Sequence, residues 1–351
     1  MTATLRNAVF LFSTVYLAGC NDVTRVSGAG ATFPDPLYQE WIRLLAESRP
    51  GLRISYEPVG SALGVSRLLE GKIAFAGSDV LLTGDQVRNA KTGKLGADIL
   101  QIPTTIGAVA PIYNQEGISD TLRFTPATLA GIFSGSITRW DDPALQRENP
   151  SANLPKQKIT LVHRSDGSGT TCILNTYLAS TEPTLWHPRR MSSHSAKDSN
   201  CEFEWPRGSI GAEGSANLIA AVRENRFSIG YVEYSYASET DEGGVDWGYV
   251  RNSSGKFQRA RIATIRAAAK DLKGIPDDSL LQASDPGAYP IASLTWLVIP
   301  VQPRAKSRHD LCSFLDWMLD DGQQVARRLG YVELPSDIID KERASVNEVC
   351  R

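Results

Sequence analysis

Ser27-Gly28-Ala29-Gly30-Ala31-Thr32-Phe33-Pro34-Asp35-Pro36 runs directly into Leu37, Trp41, Leu44 and Leu45. Asp35 reads as a helix cap, with Pro36 at the first helical position, where its missing N–H costs nothing. The four apolar residues share one face of the helix that follows. Pro50-Gly51 closes it, and Leu52, Ile54 and Tyr56 then alternate as in a strand. A turn at Gly60-Ser61 leads into a second amphipathic helix carrying Val65, Leu68 and Leu69. A short strand from Ile73 to Gly77 ends in Ser78-Asp79. Strand, turn, helix and strand in this order predict α/β architecture with parallel strands.

Further along, the theme returns. Ile159 to His163 reads as a strand, Arg164-Ser165-Asp166-Gly167-Ser168-Gly169-Thr170 as a turn, and a helix continues through Leu174, Tyr177 and Leu178. Leu294 to Ile299 reads as a strand, and Leu311, Phe314, Leu315, Met318 and Leu319 form a helical stripe of core residues. From about Pro188 the pattern is less regular, and Ser, Asn and Gly between Met191 and Ser215 predict long surface loops. No internal repeat is visible.

A chain of 351 residues leads one to expect two domains. With 42% apolar and 22% charged residues the composition is that of a globular protein. The formal net charge of −2 argues against a nucleic-acid binder, which carries a basic excess. Arg6 is the only charge in the first twenty residues. The apolar stretch from Ala8 to Leu17 fits the core of an export signal and is too short to span a bilayer. It ends in Leu17-Ala18-Gly19-Cys20, similar to the lipobox of bacterial lipoproteins, so residues 1–19 are expected to be a signal peptide, Cys20 the lipidated residue and 20–26 a tether. No later stretch has the 18 or more apolar residues of a transmembrane helix. In an oxidising compartment Cys172, Cys201, Cys312 and Cys350 form an even set with three possible pairings. The pairings nearest in sequence are Cys172–Cys201 and Cys312–Cys350. Zinc-site spacings are absent, and no cofactor is expected.

Four segments place Gly with Ser or Thr at a turn, where a strand ends or a helix begins. The first N–H groups of a helix lack internal partners and lie at the positive end of its dipole. An anion there is held by neutral donors, hydroxyls add more, and Gly lets it approach the backbone. Singly, such turns are also ordinary helix caps. Arg164 adds a planar fork suited to a tetrahedral oxyanion, with Asp166 two residues on to orient it. The plainer reading of that pair is a surface ion pair. Asp79 is the odd member, because a carboxylate suits an anion site only where the ligand carries a proton. Phosphate near neutral pH does, and sulfate does not.

These segments closely resemble the substrate-binding proteins of Pst-type phosphate ABC transporters. The matches are Gly28-Ala-Gly-Ala-Thr-Phe-Pro34, the turn at Gly60-Ser61, Ala76-Gly-Ser-Asp79 and Arg164-Ser-Asp-Gly-Ser-Gly-Thr170. Weaker ones are Arg139-Trp-Asp-Asp142, Ile229-Gly-Tyr-Val-Glu-Tyr234 and Phe314-Leu-Asp-Trp317. They are collinear over nearly the whole chain after Cys20.

The resemblance implies a two-lobed periplasmic-binding-protein fold of type II, with phosphate in the cleft between α/β lobes, held by hydrogen bonds without metal. It implies lobe I from 27–111 plus 292–351 and lobe II from 112–291, with the chain crossing near Ala108 to Asn114 and Tyr289 to Leu294. It implies N–H and hydroxyl donors from Thr32 and Ser61, an N–H from Phe33, and Asp79 as acceptor of the phosphate proton. Arg164 would donate a charged pair oriented by Asp166, and Ser168, Gly169 and Thr170 would complete the cage. The implied partners are inorganic phosphate and membrane permease subunits, with the protein exported and lipid-anchored in the periplasm or on the outer face of the cell membrane. Two positions depart from the family pattern. Leu63 stands where a small residue is common, which bears on the backbone of that turn, and Ser165 replaces a frequent Ala without expected harm.

Other classes fit less well. Ser168 in Asp-Gly-Ser-Gly is similar to a hydrolase nucleophile turn, yet Asp166 and Thr170 stand where Gly-x-Ser-x-Gly requires glycines. Of the candidate bases, His187, His194 and His309 lack a motif, and His163 lies in a strand. No Gly-rich turn ends in Gly-Lys-Ser or Gly-Lys-Thr, which removes a P-loop. A paralogue used for phosphate sensing, adhesion or another oxyanion shares every feature above.

Overall fold

The computed structural model of the chain describes residues 26–115, 120–186, 203–239, 244–270, 272 and 280–351. The expected signal peptide and most of the tether lie outside these residues, as do Cys20, Cys201, His187 and His194.

The opening stretch forms the unit its pattern predicts: Val26–Gly30 (β1), Asp35–Ser48 (α1), Ile54–Pro58 (β2), Ser61–Leu69 (α2) and Phe75–Ser78 (β3). β1 pairs in parallel with β2 and β3. α1 buries Leu37, Tyr38, Trp41 and Leu45, and each such side chain contributes about 1.5–3 kcal/mol of hydrophobic stabilisation. The helix starts one residue earlier than expected. Pro34, at φ −90° and ψ 4°, takes the cap position, so Asp35 is helical and its carboxylate accepts from the Gln39 side chain at 2.8 Å.

Gly84–Thr92 (α3), opened by a Thr83–Gln86 capping box, leads to Ile99–Asn114 (β4), a strand of 16 residues. The chain continues through Arg123–Phe124 (β5), Pro126–Ser134 (α4), Pro143–Glu148 (α5), Thr160–Arg164 (β6) and Gly169–Thr181 (α6). Then come Ile210–Ala212 (β7), Gly214–Glu224 (α7), Ser228–Glu233 (β8), Tyr234–Ala237 (α8), Val245–Trp247 (β9), Tyr249–Arg251 (β10), Phe257–Arg259 (β11) and Ile262–Ala268 (α9). Ala292–Pro300 (β12), Ala305–Met318 (α10), Asp321–Ala326 (α11) and Ser336–Cys350 (α12) complete it.

The main sheet runs β2-β1-β3-β12-β4-β8-β6-β7, with β9 also paired to β4. β4 serves both halves of this sheet. Its residues 99–108 pair with β12, and 109–114 pair with β8 and β9. The expected parallel pairing holds at β1–β2, β1–β3, β6–β7 and β6–β8. It fails at the centre, where β12 is antiparallel to β3 and β4, and β4 to β8 and β9. The reason is topological: β4 carries the chain out of the first half and β12 brings it back, so the two run in opposite directions. A register shift between Thr295 and Trp296 opposite Pro103 accommodates a proline inside a central strand, as bulges do.

Around this sheet the described residues bury one large core, reaching from Trp41, Phe75 and Phe314 to Phe133, Trp140 and Tyr231. Leu311, Phe314, Leu315, Met318 and Leu319 all lie within it. Cys312 and Cys350 form a disulfide joining α10 to the end of α12, with Cα atoms 5.8 Å apart. Cys172 is also disulfide-bonded, and its expected partner is outside the described residues. The stretch expected to be surface loop up to Ser215 ends differently, in β7 and the start of α7, with Ser215 buried.

Candidate functional site

Strand ends and helix starts from the two halves of the sheet converge. The first half brings the β1–α1 turn with Thr32 and Phe33, the start of α2 at Ser61, and Asp79 just beyond β3. The second brings the end of β6 at Arg164, the turn through Ser168, and the start of α6 with Gly169 and Thr170. The halves touch here. Arg164 Nη1 donates to Thr32 Oγ1 at 2.9 Å, and the Ala62 N–H donates to the Gly167 carbonyl at 3.0 Å. Gly169 approaches so closely that a Cβ on it would stand 2.6 Å from both Asp79 Oδ2 and Ser61 Oγ. Only glycine permits that closure.

All eight residues expected to line the site therefore meet, and all are buried. Ser168 caps α6, its Oγ accepting from the Thr171 N–H at 3.2 Å. By helix geometry the N–H groups of Gly169 and Thr170 are left to serve something outside the helix. Leu63, the bulky departure, is 47% exposed. It points to solvent from an unbroken α2, which explains its tolerance. Ser165 is also exposed.

The two aspartates of the site differ in their surroundings. Asp166 receives Arg164 Nε on Oδ1 at 2.6 Å and Nη2 on Oδ2, and Oδ1 also accepts the Gly214 N–H at 3.1 Å. Burial pushes Asp166 up, but the guanidinium outweighs it and holds the carboxyl below its usual range. Burial likewise works against the Arg164 charge, and the Asp166 pair overcomes it. With Nε and Nη2 committed, Nη1 reaches Thr32 Oγ1 and, at 3.2 Å, Ser215 Oγ.

Asp79 has no fork of its own. Thr295 Oγ1 donates to its Oδ1 at 2.9 Å, and Ser61 Oγ lies 3.5 Å from Oδ2. Burial above all, with the Glu233 charge second, pushes its pKa up to about 8.

Four contributors were not singled out by sequence reasoning. Ser215 Oγ is 2.8 Å from Thr32 Oγ1. Tyr231 Oη accepts the Arg164 N–H at 3.2 Å and pairs with Thr171 Oγ1 at 2.6 Å. Thr295 holds Asp79, and Glu233 accepts the Thr170 hydroxyl. Tyr231 and Glu233 lie in the quoted Ile229–Tyr234 motif, which was their one signal. Ser215 and Thr295 had none.

The hydrolase arrangement does not form among the described residues. Ser168 Oγ is taken up as a helix cap. His163 stacks on Trp205 with ring centroids 4.7 Å apart, and its Nδ1 lies 2.9 Å from the Arg164 carbonyl. No described helix is long and apolar enough to cross a membrane.

This architecture is a two-lobed periplasmic-binding-protein fold of type II, with its site in the cleft between lobes. The family described as PBP superfamily domain matches residues 19–322. Similar curated proteins include the phosphate-binding protein PstS of Xylella fastidiosa, 32% identical over 90% of this chain and 83% of its own. The PstS of Pasteurella multocida is 30% identical over 98% and 95%. Among solved structures, a high-affinity periplasmic phosphate-binding protein bound with phosphate superposes with a TM-score of 0.72 at 20% identity, over 92% of this chain and 93% of its own. The phosphate-binding protein of Stenotrophomonas maltophilia gives 0.68 at 21%, with the same coverage. The chain belongs to the PstS-like family of substrate-binding proteins.

Proposed function

We propose that the protein captures inorganic phosphate outside the cytoplasmic membrane and delivers it to the permease subunits of an ABC importer, without catalysing a reaction and without a cofactor. In this reading export is directed by residues 1–19 and the chain is anchored through a lipid on Cys20. Lobe I comprises 27–111 plus 292–351, lobe II comprises 112–291, and the crossings at β4 and before β12 form the hinge.

Thr32, Phe33, Ser61, Arg164, Ser168, Gly169 and Thr170 act as donors to the phosphate oxygens, with Asp166 fixing the Arg164 fork. Asp79 is the observation that carries the reading. A buried acceptor set among donors suits a tetrahedral anion that brings its own proton, and a site built to pair a ligand hydroxyl rejects an analogue lacking it by about 10⁴–10⁵-fold. The names of the relatives, phosphate-binding proteins, support the same ligand.

Calorimetric titration against phosphate and then sulfate tests this. One-to-one phosphate binding at micromolar or tighter, with sulfate silent, is expected. Equal binding of both would overturn the selectivity argument, and silence with both would mean a paralogue with a different ligand.

A further inference from the structure

Glu233 ends β8 and is 1% exposed. Its Oε1 accepts the Thr170 hydroxyl, while Oε2 has no hydrogen-bond partner among the described residues. The charged and titratable groups facing it are Asp79 beyond β3, Arg164 on β6, Tyr236 on α8 and Tyr331 after α11. Tyr236 in turn lies 3.5 Å from Asp35. Arg164 is the one cation in that set, and two of its nitrogens are already committed to Asp166. A buried carboxylate oxygen without a partner is costly, and a second carboxylate nearby adds to the cost.

The Thr170 hydroxyl has a single proton. It cannot serve Glu233 and a bound anion at once, so anion capture would strip Glu233 of its donor while adding negative charge beside it. Resting on the phosphate reading above, we propose that Glu233 is a proton-linked positioning residue. As Thr170 turns its hydroxyl proton to phosphate, Glu233 takes one proton from solvent and donates it to Thr170 Oγ. One O–H bond forms on Glu233, no bond to phosphorus changes, and the hydroxyl is held pointing at the ligand.

Proton uptake can be counted directly, by titrating the protein with phosphate in buffers of different ionisation enthalpy. The Glu233→Gln variant keeps the shape, and its amide can donate to Thr170 Oγ without a proton from solvent. At the same pH the titration of phosphate itself cancels between the two proteins. Wild type should then take up about one more proton than the variant. Its affinity relative to the variant should fall as pH rises, by about tenfold per unit wherever one extra proton is taken up. Thr170→Ser, which retains the hydroxyl, should retain the extra proton. A purely structural Glu233 would change affinity without changing the proton count. Equal counts in wild type and Glu233→Gln, with phosphate bound by both, would overturn the role of Glu233 and leave the phosphate reading standing. Failure of wild type to bind phosphate would remove both.

Discussion

Asp79 and Asp166 face the same cleft from opposite halves of the sheet, and they sit in opposite electrostatic states. Asp166 lies against the Arg164 fork and is held below the usual carboxylate range. Asp79 has only hydroxyls as hydrogen-bond partners, and burial together with the Glu233 charge outweighs them and the more distant Arg164 charge, so its pKa is pushed up to about 8. The same side chain is thus a fixed negative charge on one wall and a proton-seeking acceptor on the other. The difference is one of neighbours: three guanidinium and backbone N–H donors against two hydroxyls. It suggests a division of labour, with the Arg164–Asp166 unit providing affinity and Asp79 providing selectivity.

The largest effect expected from this division is on selectivity. Asp79→Asn replaces a proton-seeking oxygen with an amide that can donate, so sulfate gains a partner without the proton that closure on Asp79 would first have to take from solvent. The phosphate-to-sulfate affinity ratio should fall by as much as about 10⁴-fold, read by titrating both anions. An unchanged ratio would break the comparison at its root. Arg164→Ala comes next and should act on affinity. Truncating one member of a buried, hydrogen-bonded charge pair costs about 2–5 kcal/mol, since it also leaves Asp166 without its fork. Phosphate affinity in the variant should drop accordingly, and unchanged affinity would mean that the site is misplaced.

Much of this arrangement was legible in the chain before any coordinates. Thr32, Ser61, Asp79, Arg164 and the Ser168–Thr170 run each stand at a turn, where Gly, Ser and Thr have a local reason to be and leave a local signature. What stayed hidden had no such signature. Thr295 is one hydroxyl in the apolar run Leu294–Ile299, pointed at Asp79 only because β12 lies beside β3. Ser215 reads like any loop serine, and its burial depends on α7 docking against the cleft. β4 is another case, since Pro103 and Pro111 argue locally against a central strand and only its pairing with β12 and β8 overrules them. Periodicity reports an element's face, whereas these contacts depend on which elements become neighbours.

A third expectation uses pH to sharpen the contrast. In the cleft Asp79 keeps its proton up to about pH 8, whereas a hydrated carboxylate loses it near 4. Closing on a ligand that brings no proton therefore takes one up from solvent. Because the pKa is raised in the closed form, such closure is favoured at low pH and lost as pH rises through about 8. Sulfate affinity should accordingly improve about tenfold per unit as pH falls from about 8 towards 4. In Asp79→Asn that slope should flatten by the equivalent of one proton, because no carboxyl remains at the position to titrate. A slope as steep in the variant as in wild type would assign this proton to another group.

The smallest effect is expected from Asp166→Asn, and its smallness is informative. Two consequences of the substitution oppose each other. Losing the carboxylate removes a negative charge near the anion, which favours binding of any oxyanion. Losing it also sets an amide N–H₂ or a single oxygen against the Arg164 fork, so the guanidinium is less firmly aimed at the cleft. Asp166 is partly solvent-accessible, its side chain 16% exposed, so water screens the first term and part of the second. Phosphate affinity should change by less than about tenfold. The decisive readout is the phosphate-to-sulfate ratio, because both terms act on phosphate and sulfate alike and neither touches the proton at Asp79. A constant ratio in Asp166→Asn, beside a collapsed one in Asp79→Asn, would establish that two aspartates on facing walls serve different ends. A ratio that fell in both would mean that the cleft reads its ligand's proton collectively, through the whole network of buried charge, and that the division between affinity and selectivity is false.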